Sequence, residues 1–480
     1  MQSRTLAYNS ANGHVVRFDG RAMLLHVPTT ALFELDELGQ AVIAAMESGA
    51  EFESQALRAS MDGRFPAQAV DEFVDQLADL EVLQERGARR PINPGRVKID
   101  NYPLSTLVLN VNTGCNLSCT YCYKEDLQTP ARGERMNFAT ASRSVDLLLQ
   151  QARERDSIGI VFFGGEPLTN MPLIREVVDY AEQKATQQHK QVDFSLTTNA
   201  TLLTAELVEY FDAHRFGISI SMDGPRVIHD RHRRTVGGKG TYEIAARKAR
   251  MLLDRYRSKP VGARVTLSGG TVEVEAIHAH LRGELGFHEV GYAPVTSASN
   301  TAHVLSESDL DEVHAAFERL GEDYLQHALR GRNNGFSNMH QLLTDLHEGR
   351  RKALPCGAGV GLLAVDKDGG LNLCHRFTGS DLPTFGNVTE GIDAGRLGDF
   401  LSRAADRSGT HCATCRIRNL CAGGCYHEAY ARFGDPLHRT YHYCNLLRRW
   451  VDFGVGIYTR ILSRNPDFFR THLEPRRALS

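Results

Sequence analysis

The chain has 480 residues, a length typical of about three domains, and its 55 Lys and Arg nearly balance its 58 Asp and Glu. This balance provides no overall attraction to nucleic acid or to an anionic membrane, so we expect neither as a partner. The first ten residues contain no apolar signal core, and no apolar run reaches the length of a membrane span, which favours a cytoplasmic location.

Residues 1–95 are predicted to form a small α+β unit. The segment from about residue 14 predicts two strands around an Asp19-Gly20 turn. Thr29 or Thr30 is expected to cap a helix in TTALFELDELGQAVIAAM, and a second amphipathic helix is expected with Pro66 in its first turn. The following segment, ERGARRPINPGRVKIDNYP, is rich in Pro, Gly and charge and predicts a linker.

Between residues 105 and 310, short strand patterns alternate with longer helical patterns. The strand patterns are TLVLNV, GIVFFG, DFSLTT, GISISM, GARVTL and EVGYAPV. Six alternations indicate βα units and a parallel sheet, closed or partly closed as a barrel. Ligands of such sheets bind at the carboxyl ends of the strands, so we expect the functional site there. The basic run at residues 231–234 is interpreted as a solvated loop.

The ten cysteines fall into two groups. Cys115, Cys119 and Cys122 follow the first strand of the predicted barrel, and the other seven lie between Cys356 and Cys444. In a large chain this distribution indicates metal or redox chemistry rather than disulfides. Three thiolates would leave one iron of a four-iron cluster open, and a three-cysteine zinc site is the alternative.

The spacing CxxxCxxC after the first strand resembles the signature of the radical S-adenosylmethionine (SAM) superfamily. The resemblance implies a partial (β/α)6 TIM barrel, with a 4Fe-4S cluster on the three cysteines and SAM on its open iron. Tyr121 matches the aromatic residue usual in the signature. The motif after the second strand resembles the family's glycine-rich SAM-binding loop, and it consists of Gly164, Gly165, Glu166 and Pro167.

The loops after the third and fourth strands also resemble SAM-binding loops of that family. The residues they imply near the ribose are Thr198, Asn199, Ser219 and Ser221. Arg264 on the fifth strand resembles the arginine that pairs with the SAM carboxylate, a task that suits a bidentate guanidinium. Polar capping of strand ends and a surface ion pair are the alternative explanations of these residues.

The seven later cysteines resemble the pattern of SPASM domains, which would occupy residues 340–480. The resemblance implies two auxiliary 4Fe-4S clusters, hence three clusters in all. One would be held by Cys412, Cys415, Cys421 and Cys444, and the other by Cys356, Cys374 and Cys425. The latter cluster lacks a fourth cysteine, so its open iron would bind a substrate thiol, or a non-cysteine side chain or water would complete it.

Residues 1–95 resemble the winged-helix-like domains with which related maturases bind the leader of a peptide as an added strand. The stretches LNVNTGCNLSCTYCYKEDL and CHRFTGSDLPTFGNV, and the long helical tail, resemble the maturases of quinohemoprotein amine dehydrogenase. Those enzymes install thioether bonds between cysteine sulfurs and methylene carbons of Asp or Glu in the small (gamma) subunit. The partners implied are that cysteine-rich peptide and an electron donor such as flavodoxin or ferredoxin.

Such a reaction requires a base for the thiol proton. Sulfatase activators place an acid directly after the cysteine that Cys374 matches, whereas this chain has His375, so Asp381 and Asp406 are the candidate bases. Two other functions stay open. One is a different radical SAM peptide maturase, which forms thioethers at α-carbons or oxidises Cys or Ser to formylglycine. The other is a non-catalytic iron-sulfur or zinc scaffold.

Overall fold

A computed structural model of the protein describes residues 4–46, 51–85, 104–123, 133–296 and 301–473. The predicted linker lies outside these residues, except for its first residue, Glu85. Among the described helices, none combines the length and hydropathy needed to cross a membrane.

The N-terminal unit contains two antiparallel three-stranded sheets and three helices. Its elements are β1 (Thr5–Tyr8), β2 (Gly13–Phe18), β3 (Arg21–His26), β4 (Ala31–Leu35), α1 (Glu37–Met46), β5 (Phe52–Glu53), α2 (Ser54–Met61), α3 (Ala67–Asp79) and β6 (Leu83–Glu85). The sheets have the orders β5-β1-β6 and β2-β3-β4. The predicted hairpin is confirmed, because β2 and β3 pair around Asp19 and Gly20, both of which have positive φ.

The first helix begins later than the sequence pattern predicts. Neither Thr29 nor Thr30 caps it, because Ala31–Leu35 pairs with β3 as a strand. The cap is Asp36, whose Oδ1 accepts the Gly39 N–H at 2.7 Å. Pairing with a neighbouring strand thus decides the structure of a segment whose own composition is also compatible with a helix. Pro66 directly precedes α3, one position earlier than expected.

The six predicted strands of the barrel are all present, and they form parallel neighbours. In chain order the elements are β7 (Thr106–Asn110), α4 (Phe138–Gln151), β8 (Ser157–Phe163), α5 (Met171–Gln187), β9 (Gln191–Thr198), α6 (Ala205–Ala213), β10 (Gly217–Ser221), α7 (Arg226–His232), α8 (Tyr242–Arg255), β11 (Gly262–Leu267), α9 (Val274–His278) and β12 (Glu289–Pro294). The order is β12-β11-β10-β9-β8-β7, so each strand pairs with its neighbour in the chain. The α/β fold with a partial barrel is therefore confirmed.

Two strands from the C-terminal part of the chain extend this sheet, which the sequence pattern did not predict. β13 (Leu362–Val365) pairs in parallel with β7, and β14 (Leu371–Asn372) pairs antiparallel with β13. In addition, Asn110 Nδ2 at the end of β7 donates to Thr378 Oγ1 at 3.0 Å, and Thr378 follows β14 in the chain. The C-terminal unit is therefore joined to the barrel directly.

The rest of the chain after β12 is mostly helical in the described residues. Its elements are α10 (Glu307–Ala328), α11 (Ser337–His347), β15 (Gly386–Asn387), β16 (Gly391–Ile392), α12 (Ala394–Ala405), α13 (Arg418–Cys421), α14 (Tyr426–Phe433), α15 (Cys444–Arg464) and α16 (Asp467–His472). The long helix α15 packs along α10 and α11 and also contacts β2 of the N-terminal unit.

The N-terminal unit packs on the part of the chain that carries the later cysteines. Val16 and Met23 share an apolar cluster with Ile417, which precedes α13, and with Leu420 inside that helix. Asn419 Nδ2 in the same helix donates to the Val27 carbonyl at 2.7 Å. The turn between Cys415 and Cys421 is therefore held between two units of the protein.

Candidate functional site

The loops at the carboxyl ends of the barrel strands surround a cavity of about 210 Å³, here called the barrel cavity. The lining residues that the sequence singled out are Cys115, Cys119, Tyr121, Cys122, Gly164, Gly165, Glu166, Thr198, Asn199 and Ser221. These residues lie at the ends of four strands, β7 to β10, and thus meet at one site, as the parallel sheet predicts.

The loop that carries Cys115, Cys119 and Cys122, here called the cysteine loop, lies directly against the glycine-rich loop that follows β8. The Gly165 N–H donates to the Asn112 carbonyl at 3.1 Å, and the Glu166 N–H donates to the Gly114 carbonyl at 3.0 Å. A Cβ atom at Gly164 would overlap Asn112, and one at Gly165 would overlap the backbone of Gly114. The two glycines are therefore required for the close approach that positions the cysteines.

Glu166 connects the loops that follow β8 and β9. Its buried carboxylate accepts the Thr198 hydroxyl at 2.7 Å, the Leu168 N–H at 3.1 Å and the Asn199 N–H at 2.8 Å. Burial raises the pKa of Glu166 to about 7, against the lowering effect of these hydrogen bonds. Glu166 thus stabilises the shape of the cavity wall.

Asn199 in turn supports the cysteine loop. Its Nδ2 donates to Asn116 Oδ1 at 2.9 Å, and its Oδ1 accepts the Thr201 N–H at 3.0 Å. Thr198 and Asn199 thus both form hydrogen bonds within the protein. Their contacts with the ribose of SAM stay a prediction.

Arg233 is a cavity residue that the sequence analysis missed. It belongs to the basic run interpreted as a solvated loop, yet only 8% of it is exposed and it lines the barrel cavity. Its Nε and Nη2 donate to the two oxygens of Asp223 at 2.8 and 3.1 Å, and the Tyr121 hydroxyl donates to the same carboxylate. Burial would raise the pKa of Asp223, but the adjacent guanidinium outweighs it and lowers that pKa. No local sequence pattern distinguishes Arg233 from its exposed neighbour Arg234.

Three predicted SAM contacts do not line the barrel cavity. Arg264 is exposed on β11 and lies against Gly291, Ser219 lies within β10, and Pro167 begins a short 3-10 helix. Their roles in binding SAM stay predictions.

Neither candidate base lines the barrel cavity. Asp381 and Asp406 are both exposed. The Asp406 carboxylate accepts the hydroxyl and the N–H of Ser408 at 2.6 and 2.9 Å, and these hydrogen bonds lower its pKa. The residue that acts as base stays a prediction.

Four of the later cysteines line a common cavity, and the remaining three lie near one another. Cys412, Cys415, Cys421 and Cys444 line a second cavity of about 30 Å³, here called the four-cysteine site. Among the other three, the pKa of Cys374 is raised to about 12, mainly by burial and to a smaller extent by the nearby thiols of Cys425 and Cys356. Three cysteines thus line the barrel cavity and four line the second cavity, while the assignment of the cysteines to clusters stays a prediction.

The donors present fit iron-sulfur clusters. All ten cysteines are free thiols. Within the described ranges, no three or more His, Cys, Asp or Glu side chains converge on the position of a single metal ion. Thiols spaced around a cavity suit a cluster, because each thiolate binds a different iron. Burial raises the pKa of Cys119 to about 12, so iron binding would have to stabilise its thiolate form.

Comparison with known proteins supports this chemistry. Residues 109–277 match the family model described as the radical SAM superfamily. An uncharacterized protein of Methanocaldococcus jannaschii is 35% identical over 25% of this chain, a match that spans 38% of that protein. A cysteine-type anaerobic sulfatase-maturating enzyme of Clostridium perfringens is 23% identical over 73% of this chain and 96% of its own length.

Two solved structures share the fold at low sequence identity. The sulfatase-maturating enzyme anSMEcpe with bound AdoMet and a peptide aligns with a TM-score of 0.63 at 19% identity, over 75% of this chain and 99% of that one. SuiB of Streptococcus suis, bound to its precursor peptide SuiA, aligns with a TM-score of 0.51 at 14% identity, over 90% of this chain and 98% of that one. The second alignment thus extends over more of this chain than the first.

Proposed function

Since residues 109–277 match the radical SAM family model, we propose that the chain is a peptide maturase of this class. Its substrate would be the small (gamma) subunit of quinohemoprotein amine dehydrogenase. Its product would be thioether bonds between cysteine sulfurs and methylene carbons of Asp or Glu. The observation that carries the proposal is that three free thiols line the barrel cavity and four others line a second cavity, on which the N-terminal unit packs.

In this proposal the barrel cavity is the reaction site. Cys115, Cys119 and Cys122 would hold the 4Fe-4S cluster that binds SAM, and this pair of groups would supply the radical that takes hydrogen from the substrate. The chain's own residues shape the site around it. Gly165 permits the close approach of the loop that carries these cysteines, and the buried pair of Arg233 and Asp223 fixes one wall.

The other seven cysteines would hold two auxiliary clusters. The open position at the site of Cys356, Cys374 and Cys425 would receive the substrate thiol, whose proton is more easily lost next to a metal. The nearby turn at His375 lies against Phe163 at the end of β8, with ring centroids 4.1 Å apart. This contact shows that the segment after Cys374 lies next to the barrel cavity, as the proposal requires.

The N-terminal unit would bind the leader of the peptide. Its two sheets end in the strands β4, β5 and β6, and an extended peptide adds to such edges by main-chain hydrogen bonds. The edge formed by β2 packs against α15 and is less suited to this role. The alignment with SuiB, which spans 90% of this chain, supports the same interpretation.

Formylglycine formation in a sulfatase is the second candidate function. The alignment with a cysteine-type sulfatase-maturating enzyme over 96% of its length favours it. The residue after Cys374 is His375, whereas the sulfatase activators have an acid there, and this difference favours the thioether reaction.

The product distinguishes the two candidates. The protein should be co-expressed anaerobically with a candidate small subunit, and the subunit analysed by mass spectrometry after strong reduction and iodoacetamide treatment. Each thioether removes one pair of hydrogens and makes one cysteine resistant to alkylation, because thiol exchange does not open a thioether. Fragment ions should map each bond to a methylene of Asp or Glu.

Formylglycine would instead replace sulfur by oxygen and leave no crosslink. Bonds that map to α-carbons, or cysteines that regain reactivity on reduction, would contradict the proposed thioether reaction. Co-expression with the Cys115→Ala, Cys119→Ala, Cys122→Ala variant serves as the control for modification by the host.

A further inference from the structure

One part of the barrel cavity wall joins the barrel to the C-terminal cysteines. It is formed by Tyr123, which follows Cys122, and by Arg376, which lies two residues after Cys374. The Arg376 guanidinium lies over the Tyr123 ring, 4.7 Å from its centroid. This wall therefore connects the two cysteine sites between which the proposed reaction requires a substrate to lie.

The barrel cavity carries a positive charge at this wall that no acidic side chain of the described residues balances. Arg233 and Arg376 both line the cavity, and Arg233 is paired with Asp223. Glu166 is the one acidic residue among those that line the cavity in the described ranges, and its carboxylate bonds to its own and the next loop. Within those ranges, Arg376 forms no ion pair with an acidic side chain.

The same wall also has a hydroxyl without a partner. The Tyr123 oxygen is buried, and no group in the described structure hydrogen-bonds to it. A buried polar group without a partner is costly, and native structures seldom leave one unless a ligand or water uses it. The cation at Arg376 and the hydroxyl at Tyr123 thus form a pair of donors suited to an anionic group.

We propose that Arg376 and Tyr123 bind the side-chain carboxylate of the peptide residue that is modified, so that the site selects Asp or Glu. This inference rests on the proposed peptide-modifying function. A guanidinium offers parallel N–H groups that match the two carboxylate oxygens, and the tyrosine hydroxyl adds a third donor. Asn or Gln at this position would turn an NH₂ group, which is itself a donor, toward these donors and leave a polar group unpaired. Carboxylate binding also holds the adjacent methylene in the cavity that Cys115, Cys119 and Cys122 line.

The test compares the binding of two short peptides to the anaerobic protein. One is an acetylated and amidated pentapeptide with one cysteine and one aspartate, and the other has asparagine in place of the aspartate. Isothermal titration should show that the aspartate peptide binds about tenfold more tightly, the effect of one charge-assisted contact. Arg376→Gln should reduce this preference to less than about twofold, and Arg376→Lys should retain part of it.

Tyr123→Phe keeps the ring under the guanidinium and removes only the hydroxyl, so it should weaken the preference without abolishing it. Arg403→Gln, which removes an exposed arginine of α12, is the matched control and should leave the preference unchanged. Equal binding of the two peptides to the unaltered protein, or no binding of either, would overturn the proposal. So would a persistent preference in Arg376→Gln, or a loss of SAM affinity in that variant with the peptide preference intact.

Failure of this inference is distinguishable from failure of the proposed function. If the small subunit acquires thioethers but the carboxylate preference is absent, only the role of Arg376 and Tyr123 is wrong. If the preference is present but co-expression yields no thioether, the proposed reaction is wrong and the carboxylate site stands.

Discussion

Arg418 donates a hydrogen bond to Asn12 Oδ1 at 2.9 Å, although 406 residues separate the two in the chain. The same guanidinium donates to the Ala11 carbonyl, and Arg418 is buried. Because Arg418 begins the helix that ends at Cys421, the N-terminal unit supports the four-cysteine site directly. The unit that we propose to bind the peptide therefore also supports the four-cysteine site.

Arg418→Ala should make the four-cysteine site lose iron faster when the reconstituted protein is challenged with a chelator. Loss of a charge-assisted hydrogen bond at a buried position costs about 1.5–3 kcal/mol. In this variant the loss would destabilise the turn that carries Cys421. The control is Arg58→Ala, whose guanidinium bonds Asp71 within the N-terminal unit. Equal rates of iron release from both variants would show that the contact does not support the site.

Replacement of Cys115, Cys119 and Cys122 by Ala should lower the iron content by about four per chain, from about twelve. The three thiols line the barrel cavity, whereas the other seven belong to separate sites. Iron analysis and electron paramagnetic resonance of the reconstituted variant should show the auxiliary signals alone, with no SAM cleavage. SAM cleavage by this variant would contradict the assignment of the cavity.

Gly165→Ala should prevent the cysteine loop from reaching its position, because its Cβ would overlap the backbone of Gly114, which has no flexible end to move aside. We expect a lower midpoint of thermal unfolding and a loss of the iron bound at the barrel cavity. Gly283→Ala is the matched control, since a Cβ there meets no atom within 4 Å. If both variants retain the full iron content, the close approach at Gly165 is not needed for the site.

Asp223→Ala should lower the free energy of unfolding by about 3–5 kcal/mol, because it leaves the Arg233 guanidinium buried without its counter-charge. The double variant Asp223→Leu, Arg233→Met should lose less unfolding free energy than the two corresponding single variants lose in sum, since it removes both charges together. Denaturant unfolding of the iron-free, reduced protein measures both. Additive effects would contradict a direct coupling of the two residues.

Glu166→Gln should alter how stability depends on pH. The carboxyl of Glu166 has a pKa of about 7 in the folded chain against an ordinary value of 4.5, because burial disfavours its charge. Between these values the folded chain retains a proton that the unfolded chain has lost. Stability therefore falls as the pH rises from about 4.5 to about 7, by an amount on the order of 3 kcal/mol.

Glutamine does not titrate, so the variant should lack this part of the decline, although it is less stable overall because it loses hydrogen bonds to Thr198 and Asn199. Denaturant unfolding of the iron-free protein at pH values across this interval is the measurement. Parallel curves for the two proteins would mean that Glu166 does not titrate there.

The sequence by itself determined the barrel and the place of the first cysteine site. The alternation of strand and helix patterns is a local property. Parallel neighbouring strands follow from it, because each crossover helix returns the chain to the end of the sheet where the previous strand began. Cys115 and Gly165 follow their strands directly, so their meeting at one end of the sheet was predictable. The grouping of the later cysteines was implied only by the resemblance to SPASM domains, and it stays a prediction.

Only the tertiary structure decided which charged residues belong to the cavity. Arg233 was interpreted as solvated and is buried, because its partner Asp223 lies ten residues away on another segment. Arg264 matched a known pattern, yet its side chain is exposed on β11. The sequence does not distinguish such cases, since burial of a charge depends on a partner brought close by the fold. The contact of Arg418 with Asn12 has the same origin: two segments at opposite ends of the chain lie together because each covers apolar surface of the other, and no local pattern records that pairing.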